Sequence, residues 1–242
     1  MKTLLVIDSS GRRSRSLTRR LTQRFVDTWS AEYPRGTVVR RDVGQTPPPT
    51  VNESWIAAAY TNQEERTEAM RDALRWSDQL IDELVAADMV VIGTPIYNFG
   101  MPAALKAWVD QVVRVGRTFG FDSSAAEPYR PLLAAKPVVA IVAAGDGSFH
   151  PGGANEHLNF LEPHLKSILG FIGLTDVTFV RVGYEEFQDD RLRRSLKAAE
   201  DRIDELAVPG SGSREDEGFV CATRSVLRPA GAGESVTICD YS

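Results

Sequence analysis

Thiols are nearly missing from this chain of 242 residues, whose two cysteines, Cys221 and Cys239, both fall in its C-terminal stretch. A thiol nucleophile, a cysteine metal site or a disulfide framework is thereby excluded for everything before them. No apolar run reaches the ~18 residues of a transmembrane helix, and the apolar part of residues 1–8 is too short for a signal peptide, so a cytoplasmic protein is expected. Basic residues are outnumbered, 28 Lys+Arg against 33 Asp+Glu for a net charge of −5, and they form no long stripe. Neither nucleic acid nor a membrane surface is therefore an expected partner, because both need clustered cations. Two phosphate-binding fingerprints are also missing. There is no G-x-x-x-x-G-K-[ST], and no G-x-G-x-x-G follows the first apolar run, which disfavours a nucleoside triphosphatase and a dinucleotide-binding Rossmann domain. Histidines are few: His157 and His164, if on one helix, stand ~10 Å apart along its axis, too far to share an ion, so no metal is expected.

What is present is an ordinary globular composition, 43% hydrophobic and 25% charged, long enough for one large α/β domain. Continuous Val/Ile runs at 3–8, 37–42, 88–94, 137–143 and 176–182 alternate with helical patterns at 16–32, 64–86, 102–115, 155–171 and 189–207. Strands buried on both faces have this unalternating character, so the pattern predicts a doubly wound five-stranded parallel sheet with helices on both faces. The helix at 64–86 is the clearest: Met70, Ala73, Leu74, Ser77, Leu80, Ile81, Leu84 and Val85 recur at three- and four-residue steps. Residues 1–207 form the expected domain. From 208 to 242 periodicity stops and a disordered C-terminal tail is expected.

In doubly wound sheets ligands sit beyond the carboxyl ends of the strands, which directs attention to three loops. The first, at 9–16, offers Ser10, Ser14, Arg15 and Ser16 ahead of a helix, a donor cup for one phosphate; Arg12, Arg13, Arg15, Arg19 and Arg20 add local positive charge. Its alternative is simple helix capping by serine. The second, at 93–102, places Ile96, Tyr97, Asn98 and Phe99 between glycines and prolines, which suits a flat aromatic ligand. The third, Ala144, Gly145, Asp146 and Gly147, lets backbone amides approach a ligand closely, although Asp-Gly is also an ordinary turn pair. A phosphate, a planar ring and a polar edge together describe flavin mononucleotide, FMN.

Residues 91–119, the serine-rich first loop and the Phe171-Ile-Gly-Leu stretch resemble the FMN-dependent NADH:quinone oxidoreductase and azoreductase family over about residues 1–207. The resemblance implies a flavodoxin-like fold, bound FMN, NADH or NADPH as electron donor, a quinone or azo compound as acceptor, and a homodimer. It assigns Ser10 and the 14–16 segment to phosphate and Ile96 to Phe99 to the ring, Ile96 standing where the family has Met. The family's fourth-strand loop reads Ser-Arg-Gly-Gly or a relative; Ala144 to Gly147 replace it here. Phe119, Phe121, Phe149 and His150 are candidates for the substrate pocket. The expected reaction is two-electron ping-pong hydride transfer carried by the flavin, with no catalytic side chain. The alternatives are a flavodoxin-like electron carrier without intrinsic NADH oxidation and a phosphoreceiver domain; the latter has Asp8 but lacks an aspartate after the third strand, where Thr94-Pro95 stand.

Overall fold

The computed structural model describes residues 1–208, so the tail expected over 208–242 lies almost wholly outside the described residues. In chain order come β1 (Thr3–Asp8), α1 (Leu17–Glu32), β2 (Thr37–Asp42), α2 (Glu53–Tyr60), α3 (Glu68–Ala86), β3 (Met89–Pro95), α4 (Ala103–Val112), β4 (Phe119–Phe121), β5 (Tyr129–Pro131), β6 (Val138–Ala143), α5 (Leu161–Phe171), β7 (Val177–Val182) and α6 (Asp190–Ala207). Five strands form one sheet in the order β2-β1-β3-β6-β7, every pair parallel, while β4 and β5 make a separate antiparallel hairpin.

Each central strand feeds two cores, because successive side chains leave opposite faces of a strand. Leu5 and Ile7 of β1, Val90 and Ile92 of β3, and Ala140 and Val142 of β6 join α3, α4 and α5 in one cluster. Leu4 and Val6, Met89 and Val91, and Val139 and Ile141 join α1 and α6 in the other. The chain runs from β1 outward to β2, then returns past β1 to β3, so strand order reverses between β1 and β3. A crevice is expected at their carboxyl ends. Among the described residues no helix is long and apolar enough to cross a membrane.

Three helix boundaries differ from expectation. The helix expected at 64–86 starts at Glu68, capped by Thr67, after a single 3-10 turn at Gln63–Glu65. The one expected at 102–115 stops at Val112. The one expected at 155–171 is broken: Glu156–Leu158 is a 3-10 turn, and α5 begins at Leu161, with Asn159 Oδ1 accepting the Glu162 amide at 3.2 Å. His157 and His164 are therefore not on one helix. Two elements were not foreseen, α2 and the β4–β5 hairpin. α2 has eight residues, too short for a periodic signature, yet Asn52 accepting the Trp55 amide is a recognisable N-cap. It is held by Trp55 Nε1 donating to Gln111 Oε1 at 2.9 Å, while Gln111 Nε2 donates to the Pro49 carbonyl at 2.8 Å.

Candidate functional site

A cleft of about 410 Å³ opens beyond the carboxyl ends of β1, β3 and β6. Ser10, Arg12, Arg15, Ser16 and Thr18 form one wall, Pro95, Ile96 and Tyr97 line it after β3, and Gly145, Glu185, Glu186 and Gln188 form the opposite wall. Depressions of about 720 and 490 Å³ lie on α3 and beside Met1, away from the strand-end loops.

The first wall gathers hydrogen-bond donors that could hold an anion. Ser16 caps α1 by accepting the Arg19 amide at 3.3 Å, and its hydroxyl meets that of Thr18 at 3.0 Å. The amides of Leu17 and Thr18, in the first turn, donate to no acceptor among the described residues, and that turn holds no acidic residue. Ser10 Oγ accepts the Arg12 amide at 3.2 Å, which leaves its own proton free to donate. Hydroxyls, free amides and the positive end of a helix dipole converge here, with the Arg15 guanidinium at the rim. This donor set fits a phosphate monoester.

Beyond the wall the chain makes a tight turn. Tyr97 and Gly100 exchange two backbone hydrogen bonds of 3.0 Å each, and the residues between them have positive φ, 47° at Asn98 and 68° at Phe99. Two left-handed residues in a two-residue turn make a type I′ geometry. Asn adopts it readily; Phe does not, and holding it there costs ~1 kcal/mol or more. The Phe99 carbonyl receives the Phe160 amide at 2.9 Å and its ring meets Phe149 at 5.7 Å, edge on, so the turn is held from behind by the segment leading into α5. The Asn98 side chain makes no hydrogen bond among the described residues, so its backbone conformation decides the residue type. Asn98→Val should therefore lower stability by ~1–2 kcal/mol in a thermal melt, while Asn98→Gly leaves it within ~0.5 kcal/mol; equal melting temperatures for the two variants would contradict this account.

In the third loop the amides of Gly145, Asp146 and Gly147 donate to no acceptor among the described residues. Of these, the Gly145 amide is positioned to meet a polar ring edge in the cleft, which Ile96 and Tyr97 also line.

The amino-acid sequence matches a family described as having a flavodoxin-like fold over residues 2–206. A protein of Opitutus terrae named FMN-dependent NADH:quinone oxidoreductase is 57% identical over 209 residues, covering 86% of this chain and 98% of its own. The chain belongs to this flavodoxin-like oxidoreductase family. A Pseudomonas aeruginosa relative named FMN-dependent NAD(P)H:quinone oxidoreductase 1 is 42% identical, covering 86% of this chain and 99% of its own. Among solved structures, an azoreductase from Bacillus anthracis superposes with a TM-score of 0.77 at 22% identity, covering 86% of this chain and 99% of its own. A second, an FMN-dependent NADH-azoreductase from Bacillus anthracis in complex with FMN, gives 0.74 at 18%, covering 86% and 98%. At that identity both show the shared flavodoxin-like fold.

In this family member Ser10, Arg15, Ser16, Ile96, Tyr97 and Gly145 of the sequence-predicted residues are brought together in the cleft. The others are not among its lining. Ser14 is exposed beside the first wall, Asn98 and Phe99 form the turn's tip, and Ala144 is buried, its amide donating to Val182. Asp146 spends its carboxylate capping a 3-10 turn by accepting the Ser148 amide at 2.9 Å. Gly147 packs against Tyr184, whose Cζ would stand 2.5 Å from an added Cβ.

None of the four substrate-pocket candidates lines this cleft. His150 lies behind the third loop against Gly183, its Nδ1 3.8 Å from Glu162 Oε1 and its two nitrogens without hydrogen-bond partners. Phe149 serves as backing for Phe99. Phe119 and Phe121 cluster with Tyr129 and Phe171 at the far end of α5, the rings of Phe119 and Phe171 being 4.9 Å apart. α5 starts next to Phe99 and runs 11 residues, about 16 Å, before reaching them. The reason is topological: α4 carries the chain back from the carboxyl ends of the strands before β4 begins.

The arginine cluster is also dispersed. Arg20 pairs with Glu200, Arg19 with Asp42, and only Arg12 and Arg15 line the cleft. The wall after β7 was not foreseen. Glu185 receives Arg12 Nη1 at 2.7 Å, joining the last loop to the first, and Tyr184 and Gln188 hold positive φ at its ends. Its one sequence signal is position, directly after the carboxyl end of a strand.

Proposed function

We propose that this protein is an FMN-dependent NAD(P)H oxidoreductase that reduces quinones and aromatic azo compounds by two-electron ping-pong transfer. The observation that carries the reading is the convergence, at the β1/β3 switch point, of an anion cup with an apolar strand-end platform and the Gly145 amide, which has no acceptor among the described residues. The names of the relatives in Opitutus terrae and Pseudomonas aeruginosa support it. FMN, when bound, would supply the hydride and two-electron chemistry between nicotinamide and acceptor, and the protein would supply its binding and orientation.

The chain's own residues then have distinct tasks. Ser10, Ser16, Thr18 and the α1 amides would hold the phosphate, Ile96 and Tyr97 would flank the ring, and the Gly145 amide would donate to its polar edge. Residues 1–207 carry this chain's share of the site, and the reading puts the reaction in the cytoplasm. A homodimer completes it. The exposed rings of Phe121, Tyr129 and Phe171 form an apolar patch with Leu132, which a second copy would cover, and only across such an interface could Phe119 and Phe121 serve a flavin.

The test is an absorbance spectrum of the purified protein followed by anaerobic NADH and then a quinone. Flavin bands should bleach with NADH and return with quinone. Bound FMN that neither NADH nor NADPH reduces would mark an electron carrier instead, and no FMN uptake at all would sink the site assignment.

A further inference from the structure

The carbonyls of residues 10, 11 and 12, which follow one another in the first loop, are all gripped from the β2 side. Arg19 of α1 donates from Nη2 to the Ser10 carbonyl at 2.7 Å and from Nε to the Arg12 carbonyl at 2.8 Å. Gln45, just past β2, donates from Nε2 to the Gly11 carbonyl at 3.2 Å. Arg19 is itself anchored by Asp42, the last residue of β2, through a two-pronged pair of 2.7 Å bonds from Nη1 to Oδ2 and Nη2 to Oδ1. Every nitrogen of this guanidinium is thus committed to protein acceptors, which sets Arg19 apart from Arg15 in the cleft.

The geometry has a consequence for the anion cup. In a trans peptide the carbonyl and the following N–H point in opposite directions, and no cis peptide occurs among the described residues. Carbonyls 10 to 12 drawn toward β2 therefore turn the amides of Gly11, Arg12 and Arg13 away from it. In the order β2-β1-β3 that is the side on which the cleft lies. One of these amides, that of Arg12, then binds Ser10 Oγ and fixes the hydroxyl that faces the cleft. A two-pronged Arg–carboxylate pair is rigid enough to act as such a clamp, and lysine cannot reproduce it.

We propose that Arg19, anchored by Asp42, is the positioning residue for phosphate recognition: it pre-forms the first loop around the place of the FMN phosphate without touching the phosphate. This rests on the FMN reading above. Binding gains from such preorganisation because the loop need not be ordered by the ligand.

The apoprotein is titrated with FMN and with riboflavin, the same ring system without the phosphate, following flavin fluorescence. Arg19→Gln should raise the Kd for FMN at least about tenfold while changing that for riboflavin less than about twofold. Asp42→Asn, which leaves Arg19 in place but frees it, should shift FMN in the same direction, and the double variant should be no worse than Arg19→Gln by more than about twofold. Should Arg19→Gln fail to fold, Asp42→Asn alone decides. An unchanged FMN-to-riboflavin ratio in a folded variant overturns the proposal, as does an equal loss of both flavins, which would mark a purely structural role. A wild-type protein that binds neither flavin refutes the FMN reading and the inference with it.

Discussion

Acidification from about pH 5 to about pH 2 should remove folding stability through Glu162, by at most about 3 kcal/mol. Burial by itself would push this carboxyl up, but hydrogen bonding to its partners outweighs that and brings it from 4.5 to about 2. His150, at 3.8 Å, is beyond hydrogen-bond distance, so the pairing rests on Arg181, whose Nε lies 3.0 and 3.1 Å from the two carboxylate oxygens and whose Nη2 lies 2.6 Å from Oε2, with Asn159 Nδ2 adding a contact of 3.1 Å. A carboxyl whose folded-state value is depressed contributes stability that is fully present above its unfolded value and lost as pH falls toward the folded one. The loss therefore falls between about pH 4.5 and about 2, and because His150 does not make its bond the full gap, about 3 kcal/mol, is the upper bound. Asp8 works in the opposite direction: burial holds its carboxyl above the usual range, so its contribution improves on acidification and partly offsets the loss.

Arg181→Met makes the test specific. It leaves the Glu162 carboxylate buried with its main partner removed, which should cost about 3 kcal/mol at pH 7, the lower end of the range for breaking a buried pair because the outer edge of Arg181 reaches solvent. The variant should then lose much less than the wild type on going to pH 3. Urea unfolding at the two pH values decides, and parallel wild-type and variant losses would show that the pair does not govern the acid limb.

Gly44→Ala should abolish most flavin affinity, with a rise in the FMN Kd of about a hundredfold, equivalent to about 2.7 kcal/mol. An added Cβ at Gly44 would fall on the Ser10 carbonyl oxygen, 2.8 Å from the Ser10 carbonyl carbon and 2.9 Å from that of Ser9. These are backbone atoms of the first loop and cannot swing aside as a side-chain tip would. The Gly44 amide also donates to the Asp8 carbonyl at 3.0 Å, which keeps the two strand-end loops in register. Relief must come from moving Ser10, and with it the anion cup, at a further cost of about 1–3 kcal/mol in stability. Gly100→Ala is the control, since nothing lies within 4 Å of its added Cβ although it sits in the Tyr97–Gly100 turn. Equal FMN affinity in the two variants would show that the contact between Gly44 and Ser10 does not shape the site.

The parallel sheet was legible in the sequence because strands buried on both faces must be continuously apolar, and β1, β3 and β6 are. The three strand-end loops were legible for a related reason: a doubly wound sheet puts its crevice at strand carboxyl ends, and serine, aromatic and glycine-rich segments stand there in order. The short elements were not legible. α2 and the β4–β5 hairpin are stabilised by contacts distant in sequence, such as Trp55 with Gln111 and Leu133 with Ile172, which no local period records. His150 and Phe119 show the same limit at the level of single side chains: their residue types suited a substrate pocket, but the path of α5 and the return of α4 put them outside the cleft of their own chain.

Five arginines near the first loop formed one cluster in sequence, and folding divided them, since Asp42, Glu185 and Glu200 come from separate strand-end and helix positions. By itself the sequence determined the sheet, its layering and the position of the crevice, because hydrophobic periodicity and strand-end chemistry are local properties. Only the tertiary structure decided which cations face the cleft and which hold the loop in shape, because that division depends on carboxylates brought close by the fold.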